Sequence, residues 1–171
     1  SLMEINFPAN LSSIGDYAFK NCESLAVITI TGNKVVIGTD VFEDCDSVES
    51  ITVPAEFIGC IPTESLKTVI ISSGTSIPEN AFSDAEDLET VTLPASITEI
   101  GSNAFSSCEK IQNITASAKV IDSFHIADLK NLTIIGEMDS LELGKFSYCN
   151  QIESITLPFV GDKPSNAENT H

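Results

Sequence analysis

The chain repeats one pattern from its first residues almost to its last. An apolar residue opens every copy, at Leu2, Leu25, Val48, Leu66, Leu88, Ile111, Leu129 and Ile152. Successive copies begin at intervals of 23, 23, 18, 22, 23, 18 and 23 in residue number. A period in this range indicates a solenoid, in which stacked repeats bury the apolar side that a single repeat leaves exposed.

We number the copies as coils 1 to 7, followed by the first strand of an eighth. They span residues 2–24, 25–47, 48–65, 66–87, 88–110, 111–128 and 129–151. The two short coils are 3 and 6, which indicates a triplet of two long coils and one short coil. Both short coils lack the Ala-Phe…Cys segment of the long ones. We expect them to bend the rod, because the strand is kept while the opposite side is shortened.

Each coil opens with apolar residues at its first, fourth and sixth places, such as Leu25, Ile28 and Ile30, and polar residues such as Ser50 and Thr52 lie between them in other coils. This alternation predicts a strand with one buried face. Proline ends several of these strands because it removes a backbone donor. A second short strand is predicted at the Ile-Gly pairs Ile14-Gly15, Ile37-Gly38, Ile58-Gly59 and Ile100-Gly101. The stretch from Ser102 to Cys108 suits one or two helical turns.

The pattern L-x-x-I-x-L-P, I-G, A-F, x-x-C-x-x-L resembles the BspA-like leucine-rich repeat of bacterial and some protozoan surface proteins. The resemblance implies an α/β leucine-rich repeat solenoid of about seven and a half coils. Its parallel β-sheet would line the concave face, with short strands and short helical turns on the other sides. The resemblance also implies a secreted or cell-surface location and a role in adhesion or protein binding. No cofactor is expected.

Two segments are predicted. Residues 1–157 form the solenoid, as a fragment of a longer repeat array, and residues 158–171 form a polar, disordered tail. The chain carries 25 acidic residues against 8 lysines, for a net charge of −17. Such a surface repels nucleic acid, and no apolar run approaches the ~18 residues of a membrane helix. The resemblance implies that the partner is a protein of a host or microbial surface.

Four cysteines, Cys22, Cys45, Cys108 and Cys149, share one repeat position, which Ala85 occupies in coil 4. A position that accepts both Cys and Ala indicates a small buried site, so buried thiols are favoured over disulfides or metal ligands. Cys60 lies outside this column. Five phenylalanines share a second position and are predicted to lie in the core, at Phe19, Phe42, Phe82, Phe105 and Phe146.

Catalytic signals are weak. The two histidines are His125 and His171, and the neighbouring Asp122 and Ser123 do not make a catalytic triad, whose members meet in space rather than in sequence. The chain is therefore not expected to be an enzyme. Two acidic clusters, Glu43/Asp44/Asp46 and Asp84/Glu86/Asp87, lack the spacing of a dedicated calcium loop, so solvated loops are favoured over a calcium site.

The outward positions of the strands form two polar columns, which are the candidate binding surface. The predicted partner-binding residues are Thr29, Thr52, Thr68, Ile70, Thr90, Thr92, Thr115 and Thr133. A threonine ladder also supports strand pairing without any ligand, so this alternative stays open. Two functions follow: a non-catalytic binding module, or a structural spacer that presents another domain.

Overall fold

The computed structural model describes residues 1–32, 34–124, 128–137 and 151–158. Its main element is a sheet of eight parallel strands, in which each strand pairs with the first strand of the next coil. These strands are β1 (Glu4–Phe7), β3 (Val27–Ile30), β5 (Ser50–Val53), β6 (Thr68–Ile71), β8 (Thr90–Thr92), β10 (Asn113–Ser117), β11 (Asn131–Ile135) and β12 (Ser154–Thr156). The leucine-rich repeat solenoid predicted from the sequence is confirmed.

The strand register follows the sequence repeat without a slip. Val27 lies opposite Ser50 across the long coil 2, and Asn113 lies opposite Asn131 across the short coil 6. Long and short coils therefore place their strands identically, and the short coils lose residues only outside the strand. A slip of one residue would turn every apolar side chain of a strand from the core to the solvent.

The core lies behind the main sheet. The inward residues of the strands are almost fully buried, as in Ile28, Ile51 and Val69, each with 0% exposure. Burying each such side chain contributes about 1.5–3 kcal/mol. The phenylalanine column also lies in this core, where Phe42, Phe82 and Phe105 are buried. Phe19 is half-buried and stacks on Phe42, with 5.7 Å between the ring centroids. Phe146 lies outside the described residues.

Two further pairs of short strands form in the long coils. They are β2 (Ser13–Ile14) with β4 (Val36–Ile37), and β7 (Ser76–Ile77) with β9 (Glu99–Ile100). The strand predicted at Ile58-Gly59 is wrong, because these residues lie in a 3₁₀ helix, Ala55–Cys60. With fewer residues available, coil 3 returns to the sheet through this helix, which still buries Phe57 and Ile58.

The stretch from Ser102 to Cys108 forms successive turns rather than a continuous helix. Its backbone N–H groups donate to carbonyls three residues back, as from Ser106 to Asn103 and from Cys108 to Phe105, at 3.2 Å. Asn103 has φ of +56°, which interrupts a right-handed helix. The same position has positive φ in the other long coils described, at Tyr17, Asp40 and Asn80.

Candidate binding face

The candidate binding face is the solvent side of the main sheet. Alternate residues of each strand point to this side, so the predicted columns run across all eight strands. The structure brings the predicted partner-binding residues together on this face, each half-buried: Thr29, Thr52, Thr68, Ile70, Thr90, Thr92, Thr115 and Thr133. Their positions agree with the prediction, while their role in binding stays a prediction.

Part of the face is held together by hydrogen bonds between neighbouring side chains. The amide Nδ2 of Asn131 donates to Oδ1 of Asn113 at 2.8 Å, and Nδ2 of Asn113 donates to Oγ1 of Thr90 at 3.2 Å. This ladder fixes the amide orientations across three strands. It also leaves the face polar but ordered, so a partner that binds there meets side chains already held in place.

Ile70 interrupts the polar columns near the middle of the sheet. It lies between Thr52 on one side and Thr92 on the other. The structure adds a second apolar side chain on the same face, the half-buried Val27. Val27 belongs to the neighbouring column, whose remaining members are polar. The sequence pattern could therefore have revealed Val27 as an apolar residue of the face.

A charged column, which was not predicted from the sequence, borders the face where the strands begin. Its members follow the first residue of each coil after coil 1 and alternate in sign over coils 3 to 5: Ala26, Glu49, Lys67, Glu89, Gln112, Lys130 and Glu153. The Nζ atom of Lys67 lies 2.7 Å from Oε1 of Glu49. This hydrogen bond raises the pKa of Lys67, and the charge of Glu89 adds to the effect. A partner therefore meets both signs of charge along this border.

The cysteines do not form a binding or redox centre among the described residues. Cys45 and Cys108 are fully buried, Cys22 is half-buried, and all three are free thiols. Burial raises the pKa of Cys108 to about 12 and also raises the pKa of Cys45. Cys60 is an exposed free thiol outside the column, and Cys149 lies outside the described residues.

The acidic clusters are each tied to a lysine of a neighbouring coil. Nζ of Lys20 lies 2.5 Å from Oε2 of Glu43, and Lys110 pairs with Asp87. The hydrogen bond from Lys110 lowers the pKa of Asp87. Within the described ranges, no group of three or more His, Cys, Asp or Glu residues is placed to hold a metal ion. His125 and His171 lie outside those ranges.

The family model of the BspA type leucine rich repeat region matches this chain in six copies, over residues 1–68 and 57–163. The chain belongs to this family. BspA-type proteins are generally surface or secreted proteins of bacteria, they generally bind proteins, and they are typically non-enzymatic. No helix in the described part of this BspA-type chain is long and apolar enough to cross a membrane.

Solved structures of leucine-rich repeat proteins match this chain. A leucine-rich repeat protein from Bacteroides ovatus is 23% identical, with a TM-score of 0.52, over 91% of this chain and 42% of that one. A leucine rich repeat protein from T. pallidum is also 23% identical, over 91% of this chain and 69% of that one, with a TM-score of 0.41. The chain thus spans less than half the length of the Bacteroides protein. No curated protein matches this chain.

Proposed function

We propose that this chain is a non-catalytic adhesion module of a secreted or cell-surface protein, and that it binds another surface protein through the solvent side of its main sheet. The observation that carries the proposal is the unbroken register of eight strands. At about 4.8 Å between strands, the polar columns extend for roughly 35 Å. A standard protein interface, of about 800 Å² on each partner, fits a surface of this length.

The chemistry of the face favours a protein as the partner. Threonine and asparagine supply hydrogen-bonding groups, the bordering column supplies both signs of charge, and Ile70 supplies apolar surface near the middle. An interface typically has an apolar centre and a polar rim. We therefore expect Ile70 to contribute most to affinity, with Thr52 and Thr92 beside it.

The test uses the intact chain against a panel of extracellular-matrix and epithelial surface proteins, followed by dissociation constants for those it binds. Ile70→Lys should weaken binding at least tenfold, a loss of about 1.4 kcal/mol, with little change in melting temperature. Val36→Lys is the matched control, because Val36 is a β-branched residue with 68% exposure on β4, outside the main sheet.

Two results would contradict the proposal. If affinity is unchanged in the double variant Ile70→Lys/Thr92→Lys, the partner binds elsewhere on the chain. If no surface protein binds the chain, the structural spacer is the better description, because a spacer requires no ligand of its own.

A further inference from the structure

Two recesses open where a short coil follows a long coil. The first has a volume of about 400 Å³ and is lined by residues 38–43 of coil 2 and 59–62 of coil 3. The second, of about 260 Å³, is lined by residues 100–106 of coil 5 and Ser123 of coil 6. The first lies within the size range of ligand clefts, whose lower limit is about 300 Å³. Both arise because the short coil lacks the segment that would lie beside the long coil.

In coil 1, the segment at the same place in the repeat forms backbone hydrogen bonds with coil 2. The N–H groups of Tyr17, Phe19 and Asn21 donate to carbonyls of coil 2 at 2.9–3.0 Å. The acceptors are likewise on alternate residues, namely Thr39, Val41 and Glu43. In coil 4, Asn80 and Phe82 donate to coil 5 in the same way. Donors on alternate residues, paired with carbonyls on alternate residues, resemble the edge of a parallel sheet.

Coil 2 presents the same donors, at Asp40, Phe42 and Asp44. The two aspartates have φ of +47° and +60°, close to the +55° of Tyr17 and the +60° of Asn21. Yet no backbone carbonyl of the described residues accepts a hydrogen bond from these three N–H groups. The donors are therefore held in the conformation that binds an adjacent segment. Asp40 and Phe42 line the first recess, and Asp44 directly follows Glu43, the last residue of coil 2 in its lining.

The charge of the recess selects the side chains of that segment. Asp40 and Glu43 are acidic, and no basic residue lines the first recess within the part of the chain that the structure describes. Glu43 pairs with Lys20 of coil 1 outside the lining, and the charge of Asp40 keeps the net charge of the recess negative. We propose that the first recess binds an extended segment of a partner protein that carries lysine or arginine side chains. Alternate carbonyls of the segment accept from Asp40, Phe42 and Asp44, and its basic side chains contact the two carboxylates.

The second recess provides a control within the same chain. Among the described residues it is lined by no charged side chain, since Asn103 and Ser106 replace Asp40 and Glu43. It is also smaller. Phe124 occupies the position of Ile61, and its ring centroid lies 4.7 Å from that of Phe105. The basic segment should therefore prefer the first recess.

The test uses two synthetic peptides based on residues 101–107 of this chain, in which Asn103 and Ser106, the repeat equivalents of Asp40 and Glu43, are both replaced by lysine or both by glutamate. This segment is chosen because its Ser102 and Ala104 carbonyls already accept from Asn80 and Phe82 in coil 4. The lysine peptide should bind at least tenfold more tightly than the glutamate peptide. Binding should slow hydrogen exchange of the amides of Asp40, Phe42 and Asp44 at least tenfold, while the amides of residues 103–107 are unchanged.

Two variants convert the first recess toward the second. Ile61→Phe narrows the first recess, and the double variant Asp40→Asn/Glu43→Ser removes its acidic side chains. Each variant should keep the fold intact and lower the affinity for the lysine peptide at least tenfold. Ile70→Lys on the main sheet should leave peptide binding unchanged, which separates this proposal from that of the binding face. Equal binding of the two peptides, or exchange protection outside coil 2, would overturn the proposal.

Discussion

The thiol of Cys108 donates a hydrogen bond to the backbone carbonyl of Phe82 in the preceding coil, with 3.2 Å between Sγ and the oxygen. Cys45 makes the equivalent bond to Phe19 at 3.1 Å. Ala85 occupies this position in coil 4, which follows a short coil that lacks the Ala-Phe…Cys segment and its carbonyl. In coils 2 and 5 the buried cysteine thus links a coil to its long predecessor, whereas Cys149 of coil 7 follows a short coil and lies outside the described residues.

The free energy of unfolding should fall less steeply with rising alkaline pH in Cys108→Ala than in the unsubstituted chain. Burial raises the pKa of the Cys108 thiol from 9.0 to about 12, so the folded state keeps it neutral after the unfolded chain ionises. This contribution is fully present below about pH 9 and declines as the pH rises towards 12, by at most about 1.4 kcal/mol per pH unit. Urea unfolding between pH 8 and about pH 10.5 measures the slope. An unchanged slope in the alanine variant would contradict the assignment.

The cysteines should react with iodoacetamide in order of exposure. Cys60 is exposed, whereas Cys45 and Cys108 are fully buried and have raised pKa values. Only the thiolate reacts, so Cys45 and Cys108 should label only after denaturation. Peptide mapping by mass spectrometry identifies the sites, with Cys60→Ser as control. Rapid labelling of Cys108 in the folded chain would contradict its burial.

The strands could be predicted well because strand position depends on a local pattern. Alternation within a strand fixes its buried face, and the repeat fixes its register, as in the pairing of Ile28 with Ile51. The failure at Ile58 has a different cause. The Ile-Gly pair is the same there as in long coils, but the length of coil 3 determines the conformation, so the residue pair alone could not predict it.

The site was predicted only in part, for a related reason. The outward columns follow from alternation, so the shared face of Ile70 and its threonine neighbours could be predicted, while their role in binding stays a prediction. The first recess depends instead on what lies beside Phe42, which is a property of two coils of unequal length. The charged column containing Lys67 and Glu49 was missed because the motif of the repeat gives no preference at that position.

Gly101→Ala should be strongly destabilising, whereas Gly15→Ala should not. A Cβ atom at Gly101 would lie 2.4 Å from the backbone nitrogen of Glu79, in the neighbouring coil, and 2.7 Å from its Cα. Backbone atoms cannot rotate away, so the two coils must separate, at a cost of about 1–3 kcal/mol. A Cβ at Gly15 would meet nothing within 4 Å. Its variant should change stability by about 0.5 kcal/mol or less, measured by urea unfolding. Similar losses in the two variants would contradict close stacking at Gly101.

Tyr17→Asn should stabilise the chain, because Tyr17 adopts a backbone conformation that asparagine tolerates better. Its φ is +55°, and at this repeat position Asn80 and Asn103 have φ of +54° and +56°. The left-handed region costs most residues about 1–2 kcal/mol, and asparagine is enriched there. Tyr17 is half exposed, and the substitution removes the contact between its ring and Nζ of Lys20, which lies 5.5 Å from the ring centroid. An exposed contact of this kind contributes about 0.5–1 kcal/mol. We therefore expect a net gain of about 0.5 kcal/mol in the free energy of unfolding, measured with urea.

The reverse substitution, Asn103→Tyr, should cost about 1 kcal/mol, because no lysine lies three residues after it to restore the contact. A loss of stability in Tyr17→Asn would show that the ring contact outweighs the backbone strain.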